Sequence, residues 1–127
     1  MTLNIDIVEA TKTNTNFRSV LLTGPHAQVV AMSIPRGGEI GEEVHETVDQ
    51  VLVFVDGTGT SVLDGQESAV GPGRLVLVPA GTRHNFLNSG ETPLRLYTVY
   101  APPQHAPGTV HRTKAEADAA EAEEHAP

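Results

Sequence analysis

Short runs in which apolar and polar residues alternate follow one another along the chain, and each run stops at Gly, Pro, Asn or Asp. Segments 17–23 (FRSVLLT) and 27–34 (AQVVAMSI) flank Gly24-Pro25 and predict a hairpin. The glycine-rich stretch PRGGEIGEE then breaks the pattern. Strands are predicted over 50–55 (QVLVFV, ending at Asp56-Gly57), 59–63, 66–70, 74–78 (RLVLV, ending at Pro79-Ala80-Gly81), 84–88 (HNFLN) and 94–100 (LRLYTVY). Turn signals at such regular intervals argue for an all-β sandwich or barrel. No segment before residue 113 carries a 3.6-residue period, so no helix is expected there.

The C-terminal segment differs in kind. KAEADAAEAEEHAP has good helix propensity but no apolar stripe, and its acids crowd the end where the helix dipole disfavours them. Fraying or disorder is expected, with room for a short helix near 114–120. The preceding APPQHAPGTVHR reads as an extended arm, lying on its own barrel or on a partner subunit, or as a plain linker. The chain divides accordingly into a barrel over 1–105, N-terminal strands included, and an arm and acidic Ala/Glu-rich tail over 106–127.

Composition narrows this picture. At 127 residues the chain suits one domain, and with aromatics at only 4% its core must be built from Val, Leu, Ile and Ala. Cysteine is absent, which excludes disulfides and thiolate metal sites and suits a reducing compartment. No apolar run is long enough to span a membrane, and MTLNIDIVEA lacks the features of a signal peptide, so a cytoplasmic location is expected. The net charge of −8 splits evenly: residues 114–127 carry one Lys and five acids, leaving −4 on the rest. There is no basic cluster to neutralise phosphates, so no nucleic-acid partner is expected.

Two stretches carry candidate chemistry. In the first, Glu43 and His45 are two apart and share a face if extended, a chelating arrangement if that face looks into a barrel. Gln50 shares a face with Leu52 and Phe54 and should point inward too. An unpaired buried amide costs on the order of 1–3 kcal/mol, so Gln50 needs a partner. In the second stretch, His84, Phe86 and Asn88 share a face behind the Pro79-Ala80-Gly81 turn, bringing a second imidazole inward.

With these residues in place, the chain resembles a single-domain member of the cupin superfamily over roughly residues 17–105. The family's second motif runs G, five residues, P-x-G, two residues, H, three residues, N; Gly73, Pro79, Gly81, His84 and Asn88 match every position. Its first runs G, five residues, H-x-H, three or four residues, E, six residues, G. Gly37, Glu43, His45, Gln50 and Gly57 keep that spacing, with Glu43 in place of the first His and Gln50 in place of the Glu. The resemblance implies a jelly-roll barrel (a double-stranded β-helix) holding a divalent metal through Glu43, His45, Gln50 and His84. It also implies pairing into a homodimer. Asp49 rivals Gln50 by a one-residue slip, although parity with Leu52 and Phe54 favours Gln50.

Each residue also has a plainer reading: His45 and His84 as hydrogen-bonded core histidines, Glu43 as a solvated acid, Gln50 as a residue behind the ligands. Asn88 is expected to close a turn. His26, His105 and His125 are expected on the surface, while His111 is a candidate for closing the pocket from the arm. Tyr97, Tyr100 and Phe86 read as core, and Arg83 and Arg95 as exposed cations or contacts for an anionic substrate.

Nitrogen and oxygen donors without sulfur suit Mn(II), Fe(II), Ni(II), Co(II) or Zn(II). Four protein ligands leave positions on an octahedral ion for water or substrate, which favours catalysis over a closed structural site. The expected function is a metal-dependent enzyme, a dioxygenase, isomerase or lyase of a small oxygenated metabolite, with Glu43 as general base if it is not a ligand. The alternative is a non-catalytic module that captures a small molecule or sugar.

Overall fold

The computed structural model describes residues 3–124. Its elements are α1 (Ile7–Thr13), β1 (Arg18–Thr23), β2 (Gln28–Ile34), β3 (Asp49–Asp56), β4 (Gly59–Leu63), β5 (Gln66–Val70), β6 (Leu75–Val78), β7 (His84–Leu87), β8 (Leu94–Ala101), β9 (Val110–His111) and α2 (Lys114–Glu124). Every alternating run of the sequence is a strand, with ends within one residue of where the turn residues put them. The strands form two antiparallel sheets, one in the order β6-β3-β8-β2-β1-β9 and the other in the order β5-β4-β7. Residues 39–43 extend the smaller sheet through bridges from Glu39 to Leu87 and from Glu43 to His84. The two sheets close over one core as a jelly-roll barrel.

Strand parity decides what enters that core. On β3, Gln50, Leu52 and Phe54 are buried and the valines between them are not. On β8, Leu94, Leu96, Thr98 and Tyr100 turn inward. Phe54 and Phe86, from opposite sheets, meet with ring centroids 5.7 Å apart. Asn88 ties the end of β7 down: its amide donates to Ile34 O and Thr92 O (both 2.9 Å) and its carbonyl accepts from Gly90 N, so it closes the turn as expected.

One expectation is corrected. A helix does precede residue 113: α1 packs against β2, β3 and β8 on the outside of the large sheet. It has no apolar stripe because Thr11 alone is fully buried. The readable signal was local, an Asp6-x-x-Glu9 start in which the Asp6 carboxylate accepts from Glu9 N at 3.0 Å. At the other end, α2 covers the short helix near 114–120 and runs on to Glu124. Thr113 caps it through Glu116 N (3.2 Å), and Ala117 docks it into the core. The arm lies on its own barrel, with β9 pairing to β1.

Gly57, the last position of the first motif, has a steric reason to be glycine. Its φ is +83°, and a Cβ there would lie 2.5 Å from Pro93 O. Gly57→Ala should destabilise the fold by roughly 2–4 kcal/mol, combining left-handed strain with overpacking. Urea unfolding measures this, and a loss well under 1 kcal/mol would show that the turn can relax. Among the described residues no helix is long and apolar enough to cross a membrane.

Candidate metal centre

His45 and His84 come together because their segments lie side by side. Glu43 N donates to His84 O and His84 N to Glu43 O (both 2.9 Å), and Gly81 N donates to His45 O at 2.8 Å. The two imidazoles end 5.3 Å apart, centroid to centroid. Glu43 Oε2 is 3.4 Å from His45 Nε2, as their shared face requires. His84 Nδ1 donates to the Thr82 carbonyl at 2.8 Å, so the proton sits on Nδ1 and Nε2 keeps its lone pair. A histidine oriented in this way is ready to ligate.

Gln50 points inward, 3% exposed. Its Nε2 donates to Thr98 Oγ1 at 3.1 Å, while its Oε1 is buried without a partner. Asp49, the rival by one residue, is exposed and accepts from Ala80 N instead. Among the described residues no three His, Cys, Asp or Glu side chains are gathered as a metal cluster. What the structure brings together is two imidazoles with one carboxyl resting on His45, while the amide oxygen of Gln50, across the β3–β8 register from Tyr100, has no partner.

Electrostatics sets the charge states. Burial pushes the His45 imidazole down to about 4, helped by His84 and Arg18 nearby. Burial lowers His84 as well, against the opposing Thr82 hydrogen bond. Both rings are therefore neutral at pH 7, the form that binds metal. Glu43 is raised to about 7, by burial first and then by Glu121, with Arg18 and Lys114 opposing. Two hollows share Glu43 and Glu121 in their walls. One, about 310 Å³, also contains His45 and Gln104. The other, about 280 Å³, contains Arg18, Lys114 and Asp118.

The remaining sequence candidates separate clearly. His26 is exposed and Phe86 is core. Tyr97 lines an outer hollow with Leu3 and Ile5. Arg83 is exposed and pairs with Glu42, and Arg95 lies by another outer hollow near Pro35. His125 lies outside the described residues. The surface reading of His105 is corrected: its ring packs edge-on against Tyr100 at 5.2 Å. Gln28, fully buried, pins it there by donating to His105 O (2.7 Å) and accepting from the backbone N–H groups of Gln104 and His105. His111 accepts from Arg18 at 3.2 Å.

The residue that sequence reasoning missed is Arg18. It is 2% exposed and lies over the Phe17 ring. Its charge opposes the burial that raises the Tyr100 phenol. A signal existed, because Arg18 shares a face of β1 with buried Val20 and pairs with buried Met32.

Two sheets closed face to face, with both motif histidines turned between them, define a double-stranded β-helix barrel with a candidate metal centre inside. The chain belongs to the cupin family: the Cupin domain family matches residues 30–100. It is 46% identical to the protein YrkC of Bacillus subtilis strain 168 over 92% of this chain and 66% of that one. It is 34% identical to the protein L612 of Acanthamoeba polyphaga mimivirus over 84% and 69%. The chain thus spans about two thirds of the length of each of these relatives. The crystal structure of BH2720 from Bacillus halodurans superposes with a TM-score of 0.92 at 43% identity, covering 94% of this chain and 95% of that one.

His105 sets part of the acid response. Burial, followed by Arg18, His111 and His45 nearby, pushes its folded pKa down to about 3 from 6.5. Below pH 6.5 the unfolded chain takes up a proton that the folded ring refuses, so this group's contribution to stability falls as pH drops from 6.5 toward 3. Glu43, raised from 4.5 to about 7, acts oppositely: its contribution is complete below 4.5 and is lost as pH rises through 7. His105→Phe keeps the ring contact and removes the titration, so melting temperature measured between pH 7 and pH 5 should fall less than in the wild type. An identical fall would mean that His105 protonates without cost.

Proposed function

We propose that this cupin is a metal-dependent enzyme of a small oxygenated metabolite, working by dioxygenation, isomerisation or a lyase step. The observation that carries the proposal is the pairing of two imidazoles inside the barrel, His45 and His84 with its proton fixed on Nδ1, in a fold whose buried Gln50 Oε1 also lacks a partner. Neutral imidazoles and a bare amide oxygen are ligands in waiting, and the donor set fits Mn(II), Fe(II), Ni(II), Co(II) or Zn(II). His45, His84 and Gln50 would hold the ion, with Glu43 joining by releasing His45. A bound ion supplies Lewis acidity to a carbonyl or hydroxyl oxygen. Glu43, if it stays off the ion, stands beside His45 as the carboxyl able to take a proton from substrate.

The test is metal loading of chelator-stripped protein, then turnover with a panel of β-diketones, keto acids and uronates under Fe(II) or Mn(II). Stoichiometric metal and turnover with any class support the proposal. Metal without turnover, together with ligand binding that survives Glu43→Gln, transfers the reading to a non-catalytic binding module. Failure to bind metal sinks both.

The expected homodimer is part of the same proposal. β6 is an open sheet edge, and its outward residues Leu75 and Leu77 are 62% and 53% exposed. Such an edge is a ready template for a second copy. Leu77→Lys should shift light-scattering mass from dimer to monomer; a wild type already monomeric at micromolar concentration removes the homodimer.

A further inference from the structure

Arg18 is a buried cation that shares a hollow with Glu43 and Glu121 without forming an ion pair with either. Its Nη1 donates to His111 Nδ1 at 3.2 Å, a neutral acceptor. Its Nε is buried with no acceptor. Among the described residues it forms no salt bridge. Desolvating a guanidinium without a carboxylate or phosphate partner is expensive, and proteins keep such residues mainly where a ligand completes them.

Nor is Arg18 alone in this. Among the described residues, three of the four buried polar side-chain atoms without a partner are Arg18 Nε, Gln50 Oε1 and His105 Nε2. All three belong to residues around Tyr100, which faces Gln50 across the β3–β8 register, stacks edge-on with His105 and feels the charge of Arg18. Tyr100 also lies 6.0 Å from the His45 ring. Buried orphans are rare in folded proteins, and three around one side chain beside the candidate metal centre mark a place completed from outside the chain.

We propose that Arg18 binds the carboxylate of a small anionic substrate whose oxygen-bearing remainder extends toward His45 and His84. This rests on the barrel interior being the substrate site, and it narrows the metabolite to an organic acid. The hollow that Arg18 lines, about 280 Å³, holds only a small molecule. Its acids select for low charge. Asp118 is held by Lys114 at 2.8 Å, Glu42 by Arg83, and Glu39 accepts from Asn85 at 3.2 Å, which leaves Glu43 and Glu121 facing the same space. A carboxylate monoanion tolerates them far better than a phosphate dianion does. Glu121, reaching in from α2, competes with the ligand for Arg18's field.

The test is isothermal titration of chelator-stripped and Mn(II)-loaded protein with three probes: pyruvate, its uncharged ester methyl pyruvate, and inorganic phosphate. The wild type should prefer pyruvate over the ester and over phosphate by about tenfold, the scale of one charge-assisted bidentate contact. Arg18→Gln should abolish that preference and Arg18→Lys should keep part of it. Glu121→Gln should strengthen it, with Mn(II) affinity in all three variants within about twofold of wild type because none removes a donor atom. If Arg18→Gln fails to fold by circular dichroism, the wild-type pyruvate-to-ester ratio and Arg18→Lys decide. Pyruvate and ester binding alike, phosphate binding as well as pyruvate, or an undiminished preference in Arg18→Gln overturns the proposal. Arg18-dependent selectivity without Mn(II) binding sinks the metal reading and keeps the carboxylate site. Mn(II) binding without that selectivity does the reverse.

Discussion

Replacing His84 by alanine should weaken Mn(II) or Fe(II) binding by roughly 100-fold or more, because even loss of a residue that merely orients a ligand costs 10–100-fold. His84 is the better-prepared of the two histidines. It sits on a regular strand, is almost fully buried, and has its Nδ1 proton committed to Thr82 O, so Nε2 is presented without further reorganisation. His45 stands on a bridged segment outside the named strands and spends its Nε2 on Glu43 until metal competes for it. His45→Ala should therefore also lose metal, while Glu43→Gln should lose less. Gln50→Glu should move affinity the other way: it places a full carboxylate where Oε1 lacks a partner, beside Thr98, which can still donate its hydroxyl. Titration calorimetry on chelator-stripped protein at pH 7.5 reads all four. His84→Ala binding as tightly as wild type would return both histidines to the core.

The barrel was legible because strands with one buried face write their parity into the sequence, and Gly, Pro, Asn and Asp mark where each strand must turn. The inward set Gln50, Leu52, Phe54 followed from alternation alone. So did the meeting of Glu43 and His45. What parity could not supply was anything set by distant chain. His105 looks like a loop histidine until Gln28, on β2, reaches across to grip its backbone and press the ring onto Tyr100. α2 lacks an amphipathic stripe because one small residue, Ala117, does its docking. Arg18 was missed for a different reason. Its parity with Val20 was readable, but an arginine is read as exposed by default, and only the folded environment shows that this one has been stripped of water with no salt bridge among the described residues.

Phe86→Ala should be the most destabilising single change, at about 3–5 kcal/mol, the range for truncating a fully buried aromatic. With three phenylalanines in the chain, the interior has few other large side chains to fill the space, and the surrounding valines and leucines cannot extend into it. Phe86 also joins the two layers: its ring packs on Phe54 of the larger sheet at 5.7 Å and lies 6.2 Å from the His84 ring on its own strand. Its backbone accepts from Ile40 N, fastening the segment that carries Glu43 and His45 to β7. The void should therefore loosen the candidate centre as well as the core, so metal affinity should fall along with stability even though no donor atom is removed. Phe86→Leu, which refills most of the volume, should cost under ~1.5 kcal/mol and leave metal binding near wild type. Urea unfolding and metal titration on both variants separate the two effects. If Phe86→Ala loses stability but keeps full metal affinity, the strands hold His84 in place without help from the core beneath it.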